Sequence, residues 1–436
     1  MQIPSLDIKF PFKLGRRSGE DVVGLDIQPG FVAAVRARVN GSIVAEHAAA
    51  LALPGDTMRD GEVLDEDALC EALRELFSGS GLSKRVRVGV ANQRTVLRTL
   101  ELPPVTDEKE LAAAVNFQAQ DQVPMPLSNA VLDFHPLGIV DTPAGPRQRV
   151  VLVAAQRDMI ERLLSAVSRA GLSAAGVDLS AFALIRSLYR PDPEQTGRVL
   201  YLNVDGLTNL AIAEGTVCRF TRVVGSGLEG MAGELAERRS IALTDARALL
   251  AAVDLTNPPG SDHDSSVPEE EEAAEPQAAA APAPEHPDGH APSGDAGSQA
   301  PDEGESAHGE QEHDEREREM SYEELAAVET APEPQASAAT DADVWTVLEN
   351  GIRDISGEVR NSLDFHRSQE GGGEVSHVVL SGSVQDIPGF AQALQASLGV
   401  EVRTQDLTVL DEQLAQHVSP HRLAIATGLA TTEARQ

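Results

Sequence analysis

Three glycines between Gly225 and Gly230 have the G-x-G-x-x-G spacing that binds a dinucleotide when it follows a strand and opens a helix. The segment does lie between a strand pattern and a helical pattern. A dinucleotide site also needs an acidic residue at a strand end about twenty residues further on. The residue at that distance, Asp245, lies in a helical pattern. The sequence therefore favours a glycine turn at the mouth of a cleft, with a dinucleotide site as the alternative.

Motifs for other common active sites do not occur in the sequence. It contains no G-x-x-x-x-G-K-[ST] for phosphate, no G-x-S-x-G for a serine nucleophile and no H-E-x-x-H for zinc. Asp178 follows a strand near the expected cleft and could act as a general base. A structural role at the start of the helical segment Leu179–Leu188 is the alternative. We therefore predict no catalytic residue and no metal site.

Composition excludes several classes of function. The chain has 436 residues, with 35 Lys and Arg against 69 Asp and Glu, which gives a net charge of −34. So acidic a protein repels phosphate backbones, which argues against nucleic acid as a partner. No apolar run is long enough to span a bilayer, and the N-terminus lacks the pattern of a secretory signal. The two distant cysteines, Cys70 and Cys218, fit a reducing, cytoplasmic compartment.

Much of the charge lies in one tract. Residues Thr256 to Asp343 contain 25 acidic residues and two arginines, and they are rich in Pro, Ala, Ser and Gly. Such a segment cannot bury enough apolar surface to offset its conformational entropy, so we predict that it is disordered. Its histidines are irregularly spaced, which favours a solvated linker over a metal site. We hypothesise that the tract is a tether or spacer that contacts a basic partner such as a motor ATPase.

The folded part of the chain contains a repeated unit. Residues Val22–Ala52 predict strand, turn, strand, hairpin turn and strand, with the first turn at Pro29–Gly30. Residues Arg198–Val224 repeat this order, with the corresponding turn at Asp205–Gly206. The repeat predicts a duplicated α/β domain whose two halves face each other across a cleft.

A different module lies between the two copies. Val96–Pro104 is a strand pattern that two prolines end, and Asp107–Gln122 is a helical pattern with Thr106 or Asp107 as its N-cap. Two strand patterns follow, at Val131–Leu137 and Arg149–Ala155. The order predicts a strand–helix–strand–strand insert in the first domain.

Six segments together resemble one known family, that of the type IV pilus assembly protein PilM, which is actin-like and close in fold to the cell-division protein FtsA. They are, in chain order, VGLDIQPGFVAAV, VLRTLELPP, AVNFQAQDQVPMPLSNAVLDFHPLG, VLVAAQRDMIERLLSAVSRAGLSAAGVDLSAFALIRSL, SLDFHRSQ and VVLSGSVQDIPGFAQAL. The most specific markers are Val123–Pro126, where a helix ends at a P-x-P, and Gly176–Leu184. The resemblance implies an α/β, actin-like (duplicated RNase H-like) two-domain fold with an inserted strand–helix–strand–strand (SHS2) subdomain.

The resemblance also sets the expected boundaries. They are a disordered leader at 1–20, a first actin-like domain at 21–197 with the SHS2 subdomain at about 92–156, a second domain made of 198–255 and 344–432, and the acidic insertion at 256–343.

The resemblance implies that ATP, with Mg²⁺, is the candidate cofactor of the cleft between the domains. The candidate nucleotide-binding residues are Asp26, Gly30, Asn203, Asp205, Gly206, Thr208, Gly227, Ser381, Gly382 and Ser383. Two features depart from the family pattern. Pro29 and Phe31 stand in the first turn where small residues are usual, and Asn203 stands where the family has an acid. A relic cleft kept for rigidity is therefore the alternative to ATP binding, and hydrolysis is not expected.

The resemblance further implies a scaffold that binds the short N-terminal tail of a PilN-like bitopic membrane protein, at the inner face of the cell membrane and without inserting into it. Neighbouring residues of a strand face opposite sides, so the apolar residues of the insert cannot all face one core. The surplus predicts a groove for an extended peptide, with candidate partner-binding residues Val96, Leu97, Leu100, Phe117, Val123 and Phe134. For each of these, packing against the parent domain is the alternative.

Two other functions remain open from the sequence. An active actin-like ATPase or kinase would need the phosphate-binding turns that Pro29 and Asn203 alter. An FtsA-like filament protein of the division machinery would carry an amphipathic membrane helix at its C-terminus. The segment after Thr427–Leu429 is short and polar instead.

Overall fold

The structure is a computed structural model, and it describes residues 22–40, 42–191, 197–257, 335–369, 371–405, 407–410 and 418–431. The leader predicted at 1–20 lies outside these residues, as does the acidic tract from 258 to 334. The helix that follows the tract begins at Gln335, before the boundary predicted at 343.

The described chain contains sixteen strands and nine α-helices. The strands are β1 (Val23–Gln28), β2 (Phe31–Asn40), β3 (Ser42–Ala52), β4 (Met58–Arg59), β5 (Glu62–Val63), β6 (Arg85–Val90), β7 (Val96–Leu102), β8 (Ala130–Thr142), β9 (Gly145–Gln156), β10 (Ser173–Leu179), β11 (Arg198–Val204), β12 (Thr208–Glu214), β13 (Val217–Val224), β14 (Val375–Ser381), β15 (Val402–Thr404) and β16 (Thr408–Val409). The helices are α1 (Glu66–Phe77), α2 (Glu108–Gln122), α3 (Arg157–Arg169), α4 (Ser180–Leu188), α5 (Leu228–Arg239), α6 (Leu243–Ala251), α7 (Gln335–Ser368), α8 (Phe390–Leu398) and α9 (Ala424–Leu429).

The first sheet has the strand order β10-β6-β1-β2-β3-β16. β1 pairs antiparallel with β2 and parallel with β6, and all six of its residues are buried. Full burial is typical of a strand that helices cover on both faces. Asp65 is the N-cap of α1, because its carboxylate accepts hydrogen bonds from the backbone N–H groups of Asp67 and Ala68.

The second sheet repeats this topology, with the order β13-β12-β11-β14-β15. β11 pairs antiparallel with β12 and parallel with β14, as β1 does with β2 and β6. α7 packs on this sheet through one apolar face, whose residues are buried: Val344, Val347, Leu348, Ile352, Ile355, Val359 and Leu363. The predicted duplication of a three-strand opening is confirmed, and so is the fold class.

The region after β13 forms two consecutive helices, α5 and α6. The break falls at Ser240, which has a left-handed backbone conformation with φ of 54° and ends α5. A left-handed residue commonly ends a helix because it lets a following N–H reach back to the last carbonyls. Both helices contribute buried residues to the core of the second sheet.

The strand–helix–strand–strand module is made of β7, α2, β8 and β9, whose sheet has the order β7-β9-β8. Its elements occur in the predicted order. β8 runs to Thr142 rather than ending near Leu137, because it continues with β9 as a long hairpin. A register shift between Pro136 and Gly138 interrupts the pairing of the two strands.

The C-terminal part of the chain lies on the first sheet, which corrects the predicted second domain of 344–432. β16 pairs with β3, and α9 packs against β1 and α4. Small residues permit this close packing. A Cβ on Gly24 would lie 1.9 Å from the Ala426 carbonyl oxygen, and one on Gly428 would lie 1.9 Å from that of Ala183. The chain therefore returns to its first half after completing the second.

Candidate functional site

The two turns that open the sheets contact each other. The turn between β1 and β2 contains Pro29 and Gly30, and the turn between β11 and β12 contains Gly206. A Cβ on Gly206 would lie 2.2 Å from the Pro29 carbonyl oxygen, which no side chain tolerates. The two backbones thus meet directly at the place where the resemblance implies phosphates between them.

Asp205 is the central charged group of this contact. It is 1% exposed, and its Oδ1 accepts a hydrogen bond from the Ser383 hydroxyl at 2.6 Å and from Arg422 Nε at 3.0 Å. The Arg422 guanidinium also stacks on Phe31, with its central carbon 3.7 Å from the ring centroid. One arginine therefore joins an acid of the second sheet to an aromatic ring of the first.

Asp26 lies at the end of β1 and is buried as well. Its Oδ2 accepts a hydrogen bond from the Gln28 side-chain amide at 2.7 Å. Burial raises the pKa of Asp26 from 3.8 to about 7, and the Gln28 hydrogen bond opposes this rise. The negative charge of Asp205 adds to the rise, and Arg422 works against it. The carboxyl of Asp26 is consequently harder to ionise than that of an ordinary aspartate.

The third predicted nucleotide element follows β14. Ser381 Oγ and the Gly382 N–H both donate to the His421 carbonyl oxygen, each at 3.3 Å. Gly382 has φ of 97°, and a Cβ there would lie 2.1 Å from the Val204 carbonyl oxygen. This turn therefore packs against β11 and against the segment that leads into α9.

Of the remaining predicted nucleotide residues, Thr208 and Gly227 contact other parts of the protein, whereas the buried side-chain Nδ2 of Asn203 has no hydrogen-bond partner among the described residues. The Thr208 hydroxyl donates to the Ser226 carbonyl oxygen. A Cβ on Gly227 would lie 2.6 Å from the carbonyl oxygens of Asp205 and Gly206. Asn203 is 2% exposed. The G-x-G-x-x-G motif thus forms a glycine turn that packs on the Asp205–Gly206 turn, as the favoured interpretation holds.

A cleft of about 550 Å³ opens beside the contacting turns. Apolar residues such as Phe31, Leu51 and Leu250 form much of its wall. Arg247 Nε donates to Glu229 Oε2 at 2.9 Å in a pair that lines the same cleft. Gly30 has a φ of 78°, and a Cβ on it would lie 2.5 Å from Glu229 Oε2.

Sequence reasoning missed Arg422, Glu229 and Arg247, three charged residues of this region. Arg422 is 217 positions from Asp205 and lies in no recognisable motif. Glu229 stands within the glycine motif, and Arg247 lies one helix further on. Glu229 and Arg247 lie on two different helices, so no spacing within one helix could predict that they pair.

The geometry does not fit Mg·ATP. Phosphates are bound by backbone N–H groups of open turns, but Pro29 has no N–H and the Gly206 turn closes on it. The carboxylate of Asp205 already binds Arg422 and Ser383. Within the described residues, no cluster of three or more His, Cys, Asp or Glu side chains could hold a metal ion. The described chain therefore offers no open phosphate cradle between these two turns.

Asp178 has a structural environment. It is 8% exposed, pairs with Arg186, and its Oδ1 accepts a hydrogen bond from its neighbour's N–H, that of Leu179, at 2.8 Å. The arrangement anchors the start of α4 and leaves the carboxylate no open face toward a substrate.

Most of the predicted partner-binding residues are buried. Val96, Leu100 and Val123 pack in the core between the module's sheet and α2, and Phe134 packs against this core from its edge. Leu97 faces the other way, into the core of the first domain. Both faces of β7 are covered, so its alternating apolar residues Val96, Leu97 and Leu100 are all buried. Phe117 alone of the six is widely exposed, at 72%.

Two sheets of one topology around a cleft, with a C-terminal helix that returns to the first, define the actin-like fold. The structure titled "PilM-PilN type IV pilus biogenesis complex" is similar over 94% of this chain and 98% of that chain, with a TM-score of 0.62 and 18% identity. Residues 24–199 match the model of the family described as type IV pilus assembly protein PilM. The resemblance that the sequence indicates is confirmed.

Two other solved structures are more distantly similar. The ethanolamine utilization protein EutJ from Carboxydothermus hydrogenoformans has a TM-score of 0.45 and 12% identity, over 96% of this chain and 92% of that chain. MreB 5 of Spiroplasma citri bound to AMPPNP has a TM-score of 0.44 and 11% identity, over 94% and 95%. No helix among the described residues is long and apolar enough to cross a membrane.

Proposed function

We propose that this chain is an assembly scaffold of a type IV pilus, or of a related secretion machine. It binds the N-terminal cytoplasmic tail of a PilN-like single-span membrane protein. The family match over 24–199 and the likeness to a PilM–PilN complex support the class of function. In this proposal, the tail binds at the edge of the strand–helix–strand–strand module.

β8 is the edge strand of this module. It is 13 residues long, and within the described chain it pairs only with β9. Its outer edge therefore presents backbone groups in a strand conformation, to which an extended peptide adds as a further strand. Main-chain hydrogen bonds supply affinity in this mode, and side-chain pockets supply specificity.

A strip of side chains on β8 lies beside the first domain. Val131 is buried in the core of that domain, and Leu137 packs against the same core while remaining half-buried. Asp133 and His135 lie between them and are also half-buried. Burial lowers the pKa of His135, which favours the neutral form of its imidazole. This partly covered strip suits an extended tail with alternating apolar and polar side chains.

The tail would hold the chain at the inner face of the cell membrane through its partner. Binding of this kind needs a rigid platform and no chemical step. Mg·ATP is not part of the proposal, because the cleft geometry described above does not fit its phosphates.

The test is hydrogen exchange and fluorescence titration of the full chain with a labelled N-terminal peptide of the membrane protein encoded beside it. We expect the amides of β8 to gain protection while those of α2 do not. Leu137→Arg should weaken binding by about tenfold or more, whereas Phe117→Ser, on the exposed face of α2, should not.

Protection of the α2 amides, together with weaker binding by Phe117→Ser and not by Leu137→Arg, would show that the tail binds α2 instead. Absence of binding to the wild-type chain would contradict the scaffold proposal.

A further inference from the structure

We propose that Arg422 takes the place of the nucleotide in this chain, so that the two halves are held together by an internal ion pair and Mg·ATP does not bind. The inference is independent of tail binding, because it concerns the cleft and not the strand–helix–strand–strand module.

Hydrogen bonds fix the position of the segment that precedes α9 and contains Arg422. Ser419 caps a short turn at Pro420–Leu423, and its hydroxyl donates to Asp386 Oδ1 at 2.8 Å. The His421 carbonyl accepts hydrogen bonds from Ser381 and Gly382, two of the candidate nucleotide-binding residues. Arg422 then extends from this anchored turn to Asp205. Hydrogen bonds of Ser419 and of the His421 carbonyl thus anchor the turn from which the Arg422 side chain extends.

Asp205 already has a cationic partner without a ligand, although its Oδ2 has no hydrogen-bond partner among the described residues. Asp205 is buried, and Arg422 and the Ser383 hydroxyl bind its Oδ1. A polyphosphate would have to draw Arg422 away and leave the Asp205 carboxylate buried beside a second anion. Burying an unpaired charge is strongly unfavourable, so the ion pair opposes entry of the phosphates.

Shape and charge work in the same direction. Pro29 and Gly206 are in backbone contact, so the phosphates have no gap between the turns. Phe31 fills the space beside Pro29 and carries the stacked Arg422 guanidinium. Pro29 and Phe31 in the first turn thus combine with the distant Arg422 to close one end of the cleft.

The experiment is calorimetric titration of the full chain with Mg·ATPγS, together with thermal unfolding with and without it. We expect no heat of binding and no shift of Tm at millimolar nucleotide. A micromolar Kd for the wild-type chain would overturn the inference.

A second measurement tests directly whether Arg422 holds the two turns together, and its outcome does not depend on how weakly nucleotide binds. Hydrogen exchange should show loss of protection in both turns, 28–31 and 205–207, in Arg422→Ala. It should show partial recovery in Arg422→Lys. The matched control is Arg238→Ala, which removes an exposed ion pair with Glu234 and should leave both turns unchanged. If Arg422→Ala protects both turns as the wild type does, the arginine does not hold the halves together and the inference fails.

Discussion

Arg422 and Asp205 are 217 residues apart in the chain, yet Arg422 Nε lies 3.0 Å from Asp205 Oδ1. Asp205 stands in the turn that opens the second sheet, and Arg422 immediately precedes the helix that returns to the first. The pair therefore closes the chain on itself at the cleft, where an actin-like fold has its two hairpin turns facing each other.

Stability should depend on this pair as a unit. Arg422→Gln should lower the free energy of unfolding by about 1–3 kcal/mol, because it leaves a buried carboxylate with only one hydrogen-bond donor. The double variant Asp205→Asn with Arg422→Gln should lose less than the sum of the two single changes. Urea unfolding of the four proteins gives the coupling. Strict additivity would mean that the two groups do not interact in solution.

The pH dependence of stability should reveal Asp26. Its pKa is about 7 in the folded chain against an ordinary value of 3.8, chiefly because of burial. A raised folded-state pKa means that stability from this group is present below about pH 4 and is lost as pH rises through about 7. Asp26→Asn removes this loss. The variant should be more stable than the wild type above about pH 7, by at most about 4 kcal/mol, and the difference should vanish toward about pH 4.

Unfolding curves of both proteins across this range provide the check. A wild type that gains stability relative to Asp26→Asn as pH rises would reverse the predicted sign. Such a result would mean that Asp26 is held ionised.

Gly206 should tolerate no side chain. Gly206→Ala places a Cβ 2.2 Å from the Pro29 carbonyl oxygen, so one of the two turns must move. We expect a loss of about 2 kcal/mol or more in the free energy of unfolding. Gly357→Ala is the matched control, because this helical glycine has no heavy atom within 4 Å of its added Cβ. It should stabilise the chain by about 0.5–1 kcal/mol. Equal effects of the two changes would refute the contact between the turns.

Substitutions in the core of the strand–helix–strand–strand module should lower stability more than substitutions on its surface. Leu100→Ala removes a side chain that is 3% exposed and should cost about 2–4 kcal/mol of stability. Phe117→Ser changes a side chain that is 72% exposed and should cost less than about 0.5 kcal/mol. Thermal unfolding distinguishes the two. A large loss for Phe117→Ser would show that α2 is covered in the intact protein.

Local patterns predicted the repeated sheets, because each hairpin turn lies within its own unit. The turns at Pro29–Gly30 and Asp205–Gly206 punctuate alternating apolar strands, and their spacing does not depend on distant residues. The N-cap at Asp65 and the apolar face of α7 are local in the same sense.

Non-local relationships could not be predicted in this way. No periodicity links Arg422 to Asp205, and the placement of α9 on the first sheet depends on close packing at Gly24 and Gly428. Val96 and Leu97 were assigned to a groove because neighbouring strand residues face opposite sides. The structure covers both sides of that strand, and only a three-dimensional arrangement could show it.

Titration of the full chain with the partner's N-terminal tail peptide, in the presence and absence of Mg·ATP, tests the central claim most directly. The claim is a rigid actin-like platform that grips another chain without nucleotide. It predicts one dissociation constant under both conditions. Failure to bind in either condition, or binding only when Mg·ATP is present, would contradict it.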